Sequence, residues 1–211
     1  MYTLAKKVRD LEPYTPVEGR FRIHLDANES FLSLPNPIRE KIARKVAALP
    51  FNRYPDPLAK ELSEKYAAVY GLDPACLTVG DGSDELISLI CGCLLEKGAR
   101  VVTAEPDFSM YRFYGSLFEL ENHPWQKAPD LSIDPAALAA FAKEKQAGAL
   151  IFSNPCNPTS LTLPRQEVQR ILQALPDTLV VVDEAYMEFS PDESMLGLVG
   201  EYDNLIVLKT C

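Results

Sequence analysis

Four short stretches carry the residue types that could do chemistry: GDGSDE (80–85), EPDFSMY (105–111), SNPCNPTS (153–160) and VVVDEAYMEF (180–189). The last runs three β-branched residues, Val180, Val181 and Val182, straight into two carboxylates and a tyrosine. Valine runs of this kind suit a strand covered on both faces, which leaves Asp183 and Glu184 where that strand ends. Ligands of open α/β sheets bind at that edge. A carboxylate buried there needs a cationic or proton-donating partner, because burying it alone is costly.

In GDGSDE two glycines lead into a helix start, whose first backbone N–H groups lack intrahelical partners and suit an anion such as a phosphate. A turn with Ser83 as helix cap explains the same residues and, for this stretch taken alone, is the commoner case. The match to a dinucleotide fingerprint is incomplete, since Glu85 stands where the third glycine belongs. Asp84 and Glu85 would repel a phosphate unless their side chains point away, leaving the amides and the Ser83 hydroxyl to bind. In SNPCNPTS two asparagines each precede proline, which holds them extended. Asn157 could therefore present its amide to a ring substituent, or merely belong to a rigid turn. Phe108 could stack on such a ring or fill the core.

The elements that must position these residues alternate along the chain. Helical patterns cover 36–49, 57–70 (Leu58, Leu62, Tyr66 and Val69 on one face), 83–98, 134–148 and 164–175. In the fourth, Asp134 is a cap and Pro135 takes the first helical position; in the fifth, Val168, Ile171, Leu172 and Leu175 face inward. Strands are predicted at 100–104, 149–153, 179–182 and 205–208. Strands alternating with helices imply crossover units and a mostly parallel sheet with helices on both faces, an α/β fold. Three strand ends carry the polar stretches, so one edge of that sheet gathers them. Residues 1–55 are irregular and proline-rich and read as an arm with part of a small domain, and 56–211 as the larger domain.

A net charge of −9 and an isoelectric point near 4.8 argue against a nucleic-acid partner, which wants basic patches. No apolar run approaches the roughly 20 residues of a membrane span, and the first residues lack the apolar centre of a signal peptide. A cytoplasmic location is expected. Five cysteines, at 76, 91, 93, 156 and 211, fit neither zinc nor redox spacing and read as reduced, mostly buried small hydrophobes. With only two histidines, no metal is expected.

Taken in order, these four stretches, together with LEPYTPVEG (11–19), LDANES (25–30) and RYPDP (53–57), resemble the fold type I aminotransferases that use pyridoxal 5'-phosphate, in particular the histidinol-phosphate aminotransferase family. The resemblance runs essentially the length of the chain. It implies that Asp183 faces the pyridine nitrogen of the cofactor, Phe108 stacks on the ring, and Asn157 and Tyr186 hydrogen-bond its phenolic oxygen. Ser83 and Asp84 would hold the phosphate, joined by Tyr54 from the neighbouring subunit of a homodimer. Tyr14 and Asn28 would lie on the substrate side, and Glu184 would be a structural hydrogen-bonding partner. Histidinol phosphate would be the amino donor and 2-oxoglutarate the 2-oxo acid acceptor, in histidine biosynthesis. The family's Schiff-base lysine is expected just beyond Cys211 and its C-terminal small domain farther on; Lys209 precedes the expected place. The 211 residues alone are thus expected to be inactive, with no catalytic residue of their own. Other readings on the same scaffold are an aromatic amino-acid aminotransferase and a threonine-phosphate-type decarboxylase. A lysine-less binding or dimer-forming module is the reading from another class, and a nicotinamide dehydrogenase is disfavoured by the broken glycine fingerprint.

Overall fold

Val180, Val181 and Val182 are each fully buried because their strand is covered from both sides. In the computed structural model, which describes residues 2–9, 11, 19–23 and 28–210, five strands form one sheet. They are β1 (Arg100–Glu105), β2 (Glu121–Gln126), β3 (Ala149–Ser153), β4 (Leu179–Asp183) and β5 (Leu205–Leu208). All pairings are parallel, in the order β2-β1-β3-β4-β5. The α-helices are α1 (Lys6–Arg9), α2 (Asn36–Ala47), α3 (Lys60–Tyr70), α4 (Gly82–Leu89), α5 (Met110–Leu117), α6 (Pro135–Glu144) and α7 (Arg165–Ala174).

Side chains alternate across a strand, and the two cores follow that alternation. Val180 and Val182 pack with Leu138 and Ala142 of α6 and with Val168, Ile171 and Leu172 of α7. Val181 packs on the opposite face with Ile87 of α4 and Tyr111 of α5. Asp183, two residues on, falls on the same side as Val181, which turns its carboxylate toward α4 and α5. Fold class and sheet thus answer the sequence expectation.

The chain divides into two compact units, residues 1–11 with 60–211, and residues 12–59. The sheet and its helices belong to the first. The second holds α2, whose Ile38, Ile42 and Val46 are exposed.

Local details depart from expectation in four places. Ser83 does not cap α4: Asp81 occupies the cap position without a side-chain bond, and its N–H donates instead to the Glu85 carboxylate. In α3 the buried residues are Ser63 and Ala67, while of the expected stripe Leu62 and Val69 are exposed and Tyr66 is half-buried. Cys91 and Cys156 are buried, but Cys76 and Cys93 are exposed. Finally, α5 and β2 lie where no element was predicted. Strand β2 reads ENHPWQ and tolerates Pro124 because it is an edge strand with a neighbour on one side only. Elsewhere the pattern holds: Asp134 accepts from Ala136 N at 2.9 Å and Ala137 N at 3.1 Å at the start of α6. Among the described residues, no helix is long and apolar enough to cross a membrane, and no cluster could hold a metal ion.

Candidate active site

The parallel register sets Ser153, the last residue of β3, beside Asp183, the last of β4. A cavity of about 120 Å³ opens over this pair. Its lining brings together five residues singled out in the sequence, Ser83, Phe108, Asn157, Asp183 and Tyr186, with Tyr111, Ser153, Ala185 and Thr210. They arrive from five places: the start of α4, the segment after β1, and the ends of β3, β4 and β5. Gly82 permits the approach of α4, because its φ of +83° is a conformation that residues with a Cβ avoid. The other expected residues are placed differently. Asp84 follows Ser83 in the first turn of α4 but does not line the cavity, and burial raises its carboxyl above the usual range. Asn28 and Tyr54 belong to the second unit, where Tyr54 is fully exposed. Tyr14 lies outside the described residues.

Asp183 is 4% exposed. Its Oδ2 accepts from the Tyr111 hydroxyl at 2.8 Å, and its Oδ1 from Ala185 N at 3.1 Å. Burial raises its proton affinity, while the Tyr111 hydroxyl, the Ala185 N–H and the charge of Lys209 pull it back. Lys209 engages other groups: its Nζ lies 2.6 Å from Glu188 and 3.7 Å from Glu184, and it donates to the Glu184 carbonyl at 3.3 Å. Glu184 in turn accepts from Met195 N at 2.6 Å and from the Ser194 hydroxyl. It therefore ties down the chain after β4, the structural part its sequence position suggested. The charge that would best relieve Asp183 is a cation inside the cavity. Phe108 gives the cavity an aromatic wall, and the N–H groups at the start of α4, beside Ser83, offer an anion a place. A flat cationic ring bearing an anionic arm fits this set of donors and acceptors.

Several buried polar residues beside the cavity were given no part in the sequence reading. Tyr111 is one, lost among the aromatic residues of 108–114. Asp107 is another: its side chain and that of Lys127 are each only 1% exposed, with Nζ 3.8 Å from Oδ2. Ser153 N also donates to Oδ2, at 3.1 Å, and the Ser153 hydroxyl donates to Oδ1. A buried carboxylate and ammonium twenty residues apart meet only because β1 and β2 are parallel neighbours. The one available signal was Asp107, just past a predicted strand; Lys127 follows β2, which was not predicted.

Comparison with known proteins agrees with this geometry. The model of the family "Aminotransferase class I and II" matches residues 22–211. A histidinol-phosphate aminotransferase of Clostridium novyi (strain NT) is 40% identical over 212 residues, covering 97% of this chain and 57% of that protein. The crystal structure of histidinol-phosphate aminotransferase from Sinorhizobium meliloti in complex with pyridoxal-5'-phosphate superposes with a TM-score of 0.79 at 28% identity, over 87% of this chain and 50% of that one. A Thermus thermophilus aspartate aminotransferase mutant shares the fold, with a TM-score of 0.79 at 20% identity over 99% of this chain and 58% of its own. The chain thus spans little more than half the length of the relatives it matches. On the family match, the strand topology and the ring of strand-end residues around Asp183, the chain belongs to the aminotransferase class I and II family.

Proposed function

We propose that this chain is the cofactor-binding portion of a pyridoxal-phosphate-dependent aminotransferase that moves the amino group of histidinol phosphate to 2-oxoglutarate in histidine biosynthesis. The observation that carries this reading is the buried Asp183 carboxylate, facing a cavity whose remaining walls suit an aromatic ring and a phosphate. When bound, pyridoxal phosphate supplies an electron-withdrawing ring that stabilises negative charge on a substrate carbon losing its proton. The residues of this chain prepare that chemistry. Asp183 holds a proton at the ring nitrogen, and the low dielectric around it strengthens the charge pair. Tyr111 fixes the orientation of the carboxylate. Phe108 covers one ring face and excludes water there. Asn157 and Tyr186 offer donors to a ring oxygen, and Ser83 with the first amides of α4 takes the phosphate.

The names of the histidinol-phosphate aminotransferases among the relatives support the donor, and the family resemblance supplies 2-oxoglutarate as the acceptor. A homodimer with Tyr54 reaching the neighbouring site, substrate contacts from Tyr14 and Asn28, and a cytoplasmic location belong to the same reading. So do the division at residues 55 and 56 and a cofactor-bearing lysine beyond Cys211. The test is to assay the full-length protein for amino transfer from histidinol phosphate to 2-oxoglutarate and for carbon dioxide release from threonine phosphate. Glutamate formation supports the proposal; decarboxylation without amino transfer refutes it.

A further inference from the structure

Asp107 is used by nothing described so far, yet it is the best connected side chain at the sheet edge. It follows β1, and its Oδ1 accepts from Phe108 N at 2.8 Å. At the end of β3, Ser153 donates to it twice, through N and through the hydroxyl. The Ser153 Oγ then accepts from Asn157 N at 3.0 Å. Just past β2, the Lys127 ammonium lies 3.8 Å away and is held by the Pro106 carbonyl at 2.7 Å and Cys156 Sγ at 2.9 Å. One carboxylate therefore ties together the ends of β1, β2 and β3. Its two short relays lead to Phe108 and Asn157, on the walls of the cavity. We infer that Asp107 is a positioning residue that sets Phe108 and Asn157 against the bound cofactor; this rests on the aminotransferase reading above.

Ionisation matters because an anionic carboxylate can accept from all these donors at once, whereas a protonated one must give up an acceptor position and become a donor. Burial pushes the Asp107 carboxyl up to about 6, against the opposing pull of Ser153, Lys127 and the backbone donors. The charged or titratable groups around it are Lys127 after β2, Cys156 after β3, Tyr111 on α5 and, through Tyr111, Asp183 on β4. Asparagine at 107 mimics the protonated form. The wild type and D107N should therefore differ where Asp107 is ionised and converge where it is not. A residue that only supports the fold would weaken binding equally at every pH.

The probe is pyridoxamine 5'-phosphate, which binds without a covalent link to lysine. Its Kd is measured for the full chain and for D107N at about pH 8 and about pH 5, and taking the ratio of the two proteins cancels titration of the ligand. The expected result is about tenfold weaker binding by D107N at the higher pH, shrinking toward parity at the lower. If D107N fails to fold, S153A decides: it removes the hydroxyl relay to Asn157 and should weaken binding about fivefold at the higher pH. Unchanged affinity in the variants, or a deficit independent of pH in D107N, overturns the inference while leaving the aminotransferase reading intact. No binding of pyridoxamine phosphate by the wild type overturns both.

Discussion

Replacing Tyr111 by phenylalanine removes a single atom whose role can be read in energy. The Tyr111 hydroxyl donates to Asp183 at 2.8 Å, the tyrosine is fully buried and the aspartate nearly so. Phenylalanine fills the same space, so no cavity cost is added. A hydrogen bond to a charged group contributes about 1.5–3 kcal/mol, and a loss of about 2 kcal/mol corresponds to a fall in Tm of about 4–8 °C for a chain of this size. The pH dependence has a definite sign. Burial raises the Asp183 pKa on folding, so its contribution to stability is fully present below the ordinary carboxylate value and is lost as pH rises through the folded one. Tyr111 lowers that folded pKa, so deleting its hydroxyl costs most where the carboxylate is ionised. Urea denaturation of the wild type and Y111F across a pH series should show a deficit of about 2 kcal/mol at neutral pH, narrowing toward the ordinary carboxylate range. A neutral-pH deficit below about 0.5 kcal/mol, or one that does not vary with pH, would refute the claim that this hydroxyl serves the charged form of Asp183.

Three other outcomes follow from the same structure. Lys209→Met removes the cation 3.7 Å from the Glu184 carboxylate, which is 0% exposed and keeps the Met195 and Ser194 donors, and should cost about 3 kcal/mol in urea denaturation; a loss under about 1 kcal/mol would mean that those donors and solvent already compensate the charge. Asp134→Ala deletes the cap of α6 and should cost about 1 kcal/mol by the same measurement, and no change would rule the cap out as a source of stability. Burial pushes the Cys91 thiol up to about 11, so at about pH 8 iodoacetamide should label the exposed Cys76 and Cys93 first. Peptide mass spectra showing Cys91 labelled as fast as Cys93 would contradict that burial.

How much of this was legible beforehand depended on whether the signal was local. The valine run of β4, the capped start of α6 and the inward stripe of α7 carry their periodicity within a few residues, and these elements emerged with little error. Strand β2 did not, because ENHPWQ lacks a β-branched residue and contains proline. Its partner β1 makes it a strand through pairing rather than propensity. In α3 the apolar stripe was only partly right, since Ser63 and Ala67 are buried and Tyr66 half-buried while Leu62 and Val69 are exposed. The cavity residues Ser83, Phe108, Asn157, Asp183 and Tyr186 could be named from short motifs together with the family resemblance those motifs carry, whereas Tyr111, Asp107 and Lys127 could not. Their meaning lies in contacts that only the register of β1, β2 and β3 creates.

In the function proposed above, Asp183 keeps a proton on the ring nitrogen of the bound cofactor. Pyridoxamine 5'-phosphate labelled with nitrogen-15 in the ring, bound to the wild type and to Asp183→Asn, reports that proton directly through its chemical shift. A protonated nitrogen in the wild type that becomes unprotonated in the variant is the expected pair of spectra. An unprotonated nitrogen in both, with the ligand still bound, would contradict the account.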